Sequence, residues 1–200
     1  MADFQRAGIG RRKFVNLATA AFATAGAGAA LWPFIDQMNP PRHTRPDDIE
    51  VDVSSIGEGQ TSTIRWRGQP VYIRHRTQND IAAARRVPLS ELRDQDARLI
   101  GGAKPRPATD ENRTKPGHAE WIVVVGLCPH DNCMLQGNDP GFRGDYGGWW
   151  CPICASHFDT SGRTRIGPAQ KNLPIPPYRF LTPAKIALVP EIMAHVGQID

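Results

Sequence analysis

The chain has 200 residues, with 24 Lys and Arg against 20 Asp and Glu for a formal charge of +4. That length suits one domain with a sizeable core and an appendage, and the composition is ordinary for a globular chain with extra proline and glycine. The basic excess is spread along the sequence without a block of about five or six like charges, so nothing in it marks a nucleic-acid-binding tail.

No charged residue lies between Lys13 and Asp36. As a helix, residues 14–35 would span about 33 Å at about 1.5 Å per residue, enough to cross a bilayer as a transmembrane anchor. Arg6, Arg11, Arg12 and Lys13 precede it. The positive-inside rule therefore keeps residues 1–13 in the cytoplasm, sends everything after Asp36 across the membrane, and sets Trp32 and Phe34 near the far interface. A cleaved signal peptide, with Ala25-Gly26-Ala27 as its small-residue site, and a buried Ala-rich helix are the alternative readings. Arg11-Arg12-Lys13-Phe14-Val15 looks like a twin-arginine export signal, which serves cargo exported already folded; read alone, the same residues are topogenic charges. Residues 36–48, rich in proline and polar side chains, form a linker that could hinge.

From Ile49 the pattern turns to β, and the head spans 49–200. Ile49–Val53, Thr63–Trp66 and Val71–His75 read as strands of a meander or hairpin. Asp80–Arg86 and Leu89–Leu99 have helical composition, the second with Ser90 as its N-cap, and residues 101–117 read as a loop. Trp121–Val125 is an apolar, β-branched run of the buried-strand type, and it delivers the chain to Cys128.

Cys128-Pro129-His130-Asp131-Asn132-Cys133 and Cys151-Pro152-Ile153-Cys154-Ala155-Ser156-His157 hold all four cysteines and two of the six histidines. Thiolates and imidazoles on tight loops are ligands for zinc or for iron-sulfur clusters, and the spacing alone does not name the metal. In an exported chain the cysteines could instead form disulfides. The glycine-rich connection 136–148 must turn, and Trp149-Trp150 resumes a strand, which would make the boxes two facing loops at one end of a sheet. Phe158–Gly162 is a turn; residues 163–166, Tyr178–Leu181 and Ile186–Val189 are strands. Trp66, Trp121, Trp149 and Trp150 read as core, and His43, His75, His118 and His195 as ordinary surface or core residues.

These residues together with Gly147-Gly148-Trp149-Trp150-Cys151-Pro152, Ser156-His157-Phe158-Asp159, Gly167-Pro168-Ala169 and Asn172–Pro176 resemble the Rieske iron-sulfur subunit of the bacterial ubiquinol:cytochrome c oxidoreductase. Trp32–Asp36, Met38-Asn39-Pro40 and Arg74–Thr77 carry the likeness outside the boxes. The resemblance implies a mainly β protein: a transmembrane helix followed by an all-β head with a small cluster-binding subdomain at about 126–170. It implies a 2Fe-2S cluster, an electron path from ubiquinol at cytochrome b to cytochrome c1 in a dimeric complex of the inner membrane, and a periplasmic head.

The family pattern is Cys-x-His-x-x-Cys followed by Cys-Pro-Cys-His-Gly-Ser. By position, Cys128, His130 and Cys151 match ligands and Cys133 matches a cysteine of the family's disulfide. In the second box Ile153 stands where the other disulfide cysteine belongs, and Cys154 where a histidine ligand belongs. Either Cys154 is the fourth ligand, or Cys154 pairs with Cys133 and His157 becomes the ligand. Ser156 matches a serine that donates to a bridging sulfide, Phe158 replaces a tyrosine that donates to a ligand sulfur, and Gly167 and Pro168 complete the surround. Thiolate for imidazole, and the lost hydroxyl at Phe158, both lower the potential from the Rieske range of roughly −150 to +300 mV. Asp131 and Asn132 add charge to a tip that the family keeps apolar. A paralogue without a working cluster and a closed four-cysteine zinc module, with His130 a bystander, are the competing readings.

Overall fold

The computed structural model describes residues 10–37 and 49–189. The predicted N-terminal residues 1–9, most of the 36–48 linker with His43, and His195 lie outside the described residues. The chain divides into two units, Met1–Arg45 and Pro46–Asp200.

In the first unit, α1 runs over Arg11–Gln37 and so begins at the twin arginine and extends past Phe34. Its 27 residues span about 40 Å at about 1.5 Å per residue. Among the described residues it is the one helix long and apolar enough to cross a membrane. Its hydroxyls are satisfied within the helix: Thr19 Oγ1 donates to the Val15 carbonyl at 2.9 Å, and Thr24 Oγ1 to that of Ala20 at 3.0 Å. That lets both residues face hydrocarbon without an orphaned donor.

Among the described residues, the second unit holds three antiparallel sheets of three strands each. Strands β2 (Thr61–Trp66), β3 (Gln69–His75) and β4 (Trp121–Val125) form the central one. β4 is buried along its whole length, which explains its unbroken apolar run. Strand β1 (Ile49–Asp52) does not join this meander as predicted; it pairs with β9 (Lys185–Leu188), which pairs with β8 (Tyr178–Thr182). Asp52 turns the chain away by accepting from the Ser54 amide at 2.9 Å and hydroxyl at 2.6 Å. Strands β5 (Gly147–Trp150), β6 (His157–Asp159) and β7 (Thr164–Ile166) make the third sheet. Trp66, Trp121 and Trp149 are buried, while Trp150 is half-buried.

Helix α2 (Gln78–Arg85) is closed by a capping box between Thr77 and Asp80. The predicted helix Leu89–Leu99 shrinks to a 3₁₀ turn at Leu89–Glu91, with Pro88 rather than Ser90 at its start. Aspartates defeat it: Asp94 accepts from the Asp96 amide at 3.2 Å and Asp96 from the Arg98 amide at 3.1 Å, and Arg98 takes φ +54°. Such local side-chain bonds compete with helix formation. The same Asp94 accepts from the Asn172 amide at 2.8 Å, bracing the segment that follows Gly167 and Pro168. The loop at 101–117 holds a short helix, α3 (Asp110–Arg113), with Thr109 at its N-cap.

Candidate metal centre

The two cysteine boxes emerge from different sheets, the first after β4 and the second after β5, rather than from the end of one sheet. They fold into the same turn. In the first, the Cys128 amide donates to the Cys133 carbonyl and the Asn132 amide to the Cys128 carbonyl, each at 2.9 Å. In the second, the Cys151 amide donates to the Ser156 carbonyl at 2.8 Å and the Ala155 amide to the Cys151 carbonyl at 2.9 Å. Asn132 and Ala155, at the same place in each turn, take φ of +58° and +53°. That conformation is costly for alanine, and it reverses the chain after the fourth residue of each box. Position by position, Cys128 corresponds to Cys151, Pro129 to Pro152, His130 to Ile153, Asp131 to Cys154 and Cys133 to Ser156.

This correspondence sorts the side chains. The first and fourth positions of both turns face inward: Cys128, Asp131, Cys151 and Cys154 bring their ligand atoms within 4.8 Å of one another. The third positions face out, so His130 is exposed and Ile153 is 74% exposed. Cys133 Sγ lies 2.8 Å from Cys151 Sγ, and Cys128 Sγ lies 3.6 Å from Cys154 Sγ. The structure thus brings together three of the residues predicted as ligands and leaves the imidazole of His130 outside the group. His157 sits on β6, where its Nδ1 accepts from the Asp145 amide at 3.1 Å and its ring stacks 6.2 Å from Trp150. The disulfide considered between Cys133 and Cys154 is not formed: all four cysteines are free, and those two thiols face Cys151 and Cys128 instead.

Burial raises the Cys128 thiol far above its ordinary value. Burial first, then bonds to Cys151 and Asp131, push Cys133 up to about 12. Burial opposes ionisation of Cys151 too, but the Cys133 thiol and the Cys154 amide outweigh it and leave Cys151 below its ordinary value. The Cys154 amide lies 3.3 Å from Cys151 Sγ. Burial works against the Asp131 carboxylate as well, yet the thiols of Cys133 and Cys128 and the Cys133 amide hold it well below the usual range. A cation entering this nest displaces thiol protons, so its binding is coupled to pH.

The surround is tightly built. Ser156 is fully buried, its Oγ 3.1 Å from Cys154 Sγ and accepting from the Ala169 amide at 3.0 Å. Phe158 is in the core. Gly167 adopts φ +98°, and a Cβ there would stand 2.4 Å from Ser156 Cα, so only glycine lets this strand end close over the second box. Pro168 beside it is exposed. On the other side Tyr72 on β3 donates from its hydroxyl to the Leu135 carbonyl at 2.7 Å, fixing the exit of the first box. Asp131 was predicted only to add charge to the tip, not to face inward among the donors, and Tyr72 was not predicted to shape the site. Laying the two boxes over one another, Cys-Pro on Cys-Pro, would have placed Asp131 opposite Cys154.

Two facing loops of one design, rich in soft sulfur donors and following a membrane-length helix in the chain, define an iron-sulfur protein of the Rieske type. Residues 1–41 match the family model described as "Ubiquitinol-cytochrome C reductase Fe-S subunit TAT signal". The ubiquinol-cytochrome c reductase iron-sulfur subunit of Bradyrhizobium diazoefficiens is 45% identical over 180 residues, covering 89% of this chain and 93% of that one. Its counterpart in Rhodospirillum rubrum is 46% identical over 172 residues, covering 85% and 86%. A chain of a solved structure described as "Hyperthermophilic respiratory Complex III" is similar with a TM-score of 0.48 and 18% identity, covering 86% of this chain and 98% of that one. The chain belongs to the family of ubiquinol-cytochrome c reductase iron-sulfur subunits. The family's cofactor is a 2Fe-2S cluster, and the converging thiols of Cys128, Cys151 and Cys154 are donors that fit such a group.

Proposed function

We propose that the chain carries single electrons from ubiquinol, bound at a cytochrome b subunit, to cytochrome c1 within a dimeric respiratory complex. Residues 14–35 hold it in the bacterial inner membrane with the N-terminus cytoplasmic and the head periplasmic, and residues 36–48 let the head swing between its two partners. When bound, a 2Fe-2S cluster supplies a one-electron couple. Cys128, Cys151 and Cys154 hold it as thiolates. Pro152, Ile153 and Met134 present an exposed and mostly apolar rim, which excludes water when the tip docks. Cys154 in place of an imidazole, the absence of a hydroxyl on Phe158, and the Asp131 carboxylate each favour the oxidised state, so the potential lies below that of a two-histidine centre.

The observation that carries this reading is the convergence of the Cys128, Cys151 and Cys154 thiols from two matching turns beside an exposed tip. It is tested on the full chain purified in detergent, by counting iron, labile sulfide and zinc and recording the electron-spin spectrum after reduction. Equal iron and sulfide with a rhombic signal that vanishes on oxidation is the expected result. Stoichiometric zinc, or no metal, overturns it.

A further inference from the structure

The donor atoms that converge between the two loops surround a single point, and we propose that Cys128, Asp131, Cys151 and Cys154 bind one zinc ion in the chain that has not received its cluster. This site goes beyond the electron-carrier reading and leaves the cluster's own ligands, His130 among them by the family pattern, untouched. Three observations lead there. First, the ligand atoms of these four residues lie within 4.8 Å of one another. A tetrahedral zinc ion, at about 2.3 Å from sulfur and about 2.0 Å from oxygen, sets neighbouring sulfurs about 3.8 Å apart and a sulfur and an oxygen about 3.5 Å apart. Cys128 Sγ lies 3.6 Å from Cys154 Sγ, and Cys151 Sγ lies 3.4 Å from Asp131 Oδ2. A two-iron cluster spreads its ligands over two ions joined by bridging sulfides, so the loops must part to take it.

Second, three of the four donors are already oriented by a supporting bond. Asp131 Oδ1 accepts from the Cys133 amide at 3.3 Å, Cys151 Sγ accepts from the Cys154 amide at 3.3 Å, and Cys154 Sγ lies 3.1 Å from the buried Ser156 Oγ. Such outer bonds fix the ligands and strengthen metal binding. Cys133 belongs to this outer layer: it stands outside the converging group, and its thiol, 2.8 Å from Cys151 Sγ, is placed to donate to that thiolate. Third, the donor set is chemically selective. Soft thiolates disfavour magnesium and calcium, and zinc binds such sites more tightly than ferrous iron does. On the carrier reading, zinc and the cluster compete for the same three thiolates, and a zinc ion carries no electron. His130 is exposed beside Asp131. Loading a cluster therefore exchanges the carboxylate for the neighbouring imidazole, and the occupant follows from which of the two side chains turns inward.

The test uses the full chain produced in iron-restricted, zinc-supplemented medium and purified in detergent, together with the variants Asp131→Asn, His130→Ala and Cys133→Ser, each checked for folding by circular dichroism. The parent holds one zinc per chain. X-ray absorption at its zinc edge shows three sulfurs, one oxygen and no imidazole, a measurement that stands even if a variant does not fold. Competition with a chromophoric chelator gives a zinc affinity lowered by more than roughly 100-fold in Asp131→Asn, beyond what the loss of a supporting bond costs, and equal to the parent's in His130→Ala. Cys133→Ser keeps one zinc with the same three sulfurs. No zinc in a folded parent, four sulfurs around the ion, imidazole scattering, or an unchanged affinity in Asp131→Asn overturns the inference. The carrier reading is judged separately, on the chain grown with iron: absence of iron and sulfide there overturns that reading, whatever the zinc-grown chain binds.

Discussion

The guanidinium of Arg74 lies 3.9 Å above the ring centre of Trp149, and from that position it grips both ends of the connection between the two cysteine boxes. Its Nη2 donates to the Gly137 carbonyl at 2.5 Å, its Nη1 to that of Gly147 at 3.2 Å, and its Nε to Thr61 Oγ1 at 2.9 Å. A fully buried side chain on the central sheet thus sets how far apart the two loops stand.

Replacing Arg74 with Met keeps apolar volume but leaves two buried carbonyls without donors. Each such loss costs about 1–3 kcal/mol, so the expected destabilisation is about 3 kcal/mol, read as a lower denaturant midpoint. Arg74→Lys recovers only part of it, because an ammonium lacks the planar fork that reaches both carbonyls. A loss below about 1 kcal/mol in Arg74→Met would show that other contacts hold the connection.

Acid should unfold the head through its buried carboxylates. Burial opposes ionisation of Asp110, but the bond and charge of Arg76, then Ser161, hold its carboxyl below the ordinary value. Arg76 Nη1 lies 2.6 Å from Asp110 Oδ1 with both side chains buried. A carboxyl depressed in the folded state contributes stability that is fully present above its unfolded pKa of about 3.9, and that stability is lost as pH falls through the lower folded value. Stability is therefore level from about pH 5 to 7 and declines below about 4. Asp110→Asn lowers the plateau and flattens the acid limb; an acid limb as steep as the parent's would assign the decline to other groups.

Gly167 gives a steric test of the second box. A Cβ there meets Ser156 Cα at 2.4 Å and the Ala155 carbonyl at 2.8 Å, on a backbone at φ +98°. Gly167→Ala should cost about 2–4 kcal/mol and lower iron loading, since the strain falls on the turn that carries Cys154. The control is Gly68→Ala, where φ is also positive, at +76°, but nothing stands within 4 Å. It carries the backbone penalty alone, about 1 kcal/mol, and equal losses in the two variants would remove the contact argument.

Much of this was legible in the chain, and the exceptions have physical causes. Trp121–Val125 could be read as a buried strand because both its faces are covered, leaving an apolar run with no alternation. Leu89–Leu99 could not, because Asp94 and Asp96 offer their own backbone an alternative to the helix and are held by Asn172, far along the sequence. The partner of Ile49–Asp52 was equally hidden, since β9 lies at the other end of the head. At the site, residue types pointed to metal, but direction depended on backbone. The left-handed residues Asn132 and Ala155 decide which side chains face inward, and although asparagine favours that conformation, alanine gives no sign of it in advance.

Cys154 and His157 offer the cleanest separation between the two registers that the second box allowed. Cys154 Sγ lies among the other donors, 3.6 Å from Cys128 Sγ, whereas the His157 ring is held on the β5–β6 hairpin by the Asp145 amide and Trp150. Bringing that ring to the cysteines would require unpairing His157 from Trp150 and from Ile166 across the sheet. Cys154→Ser should reduce cluster content to background, and His157→Ala should leave iron, sulfide and the reduced spectrum unchanged while lowering stability by about 1 kcal/mol through the lost bond and stacking. Metal analysis of the two variants decides it: cluster retained in Cys154→Ser and lost in His157→Ala would mean that the second loop binds in the shifted register.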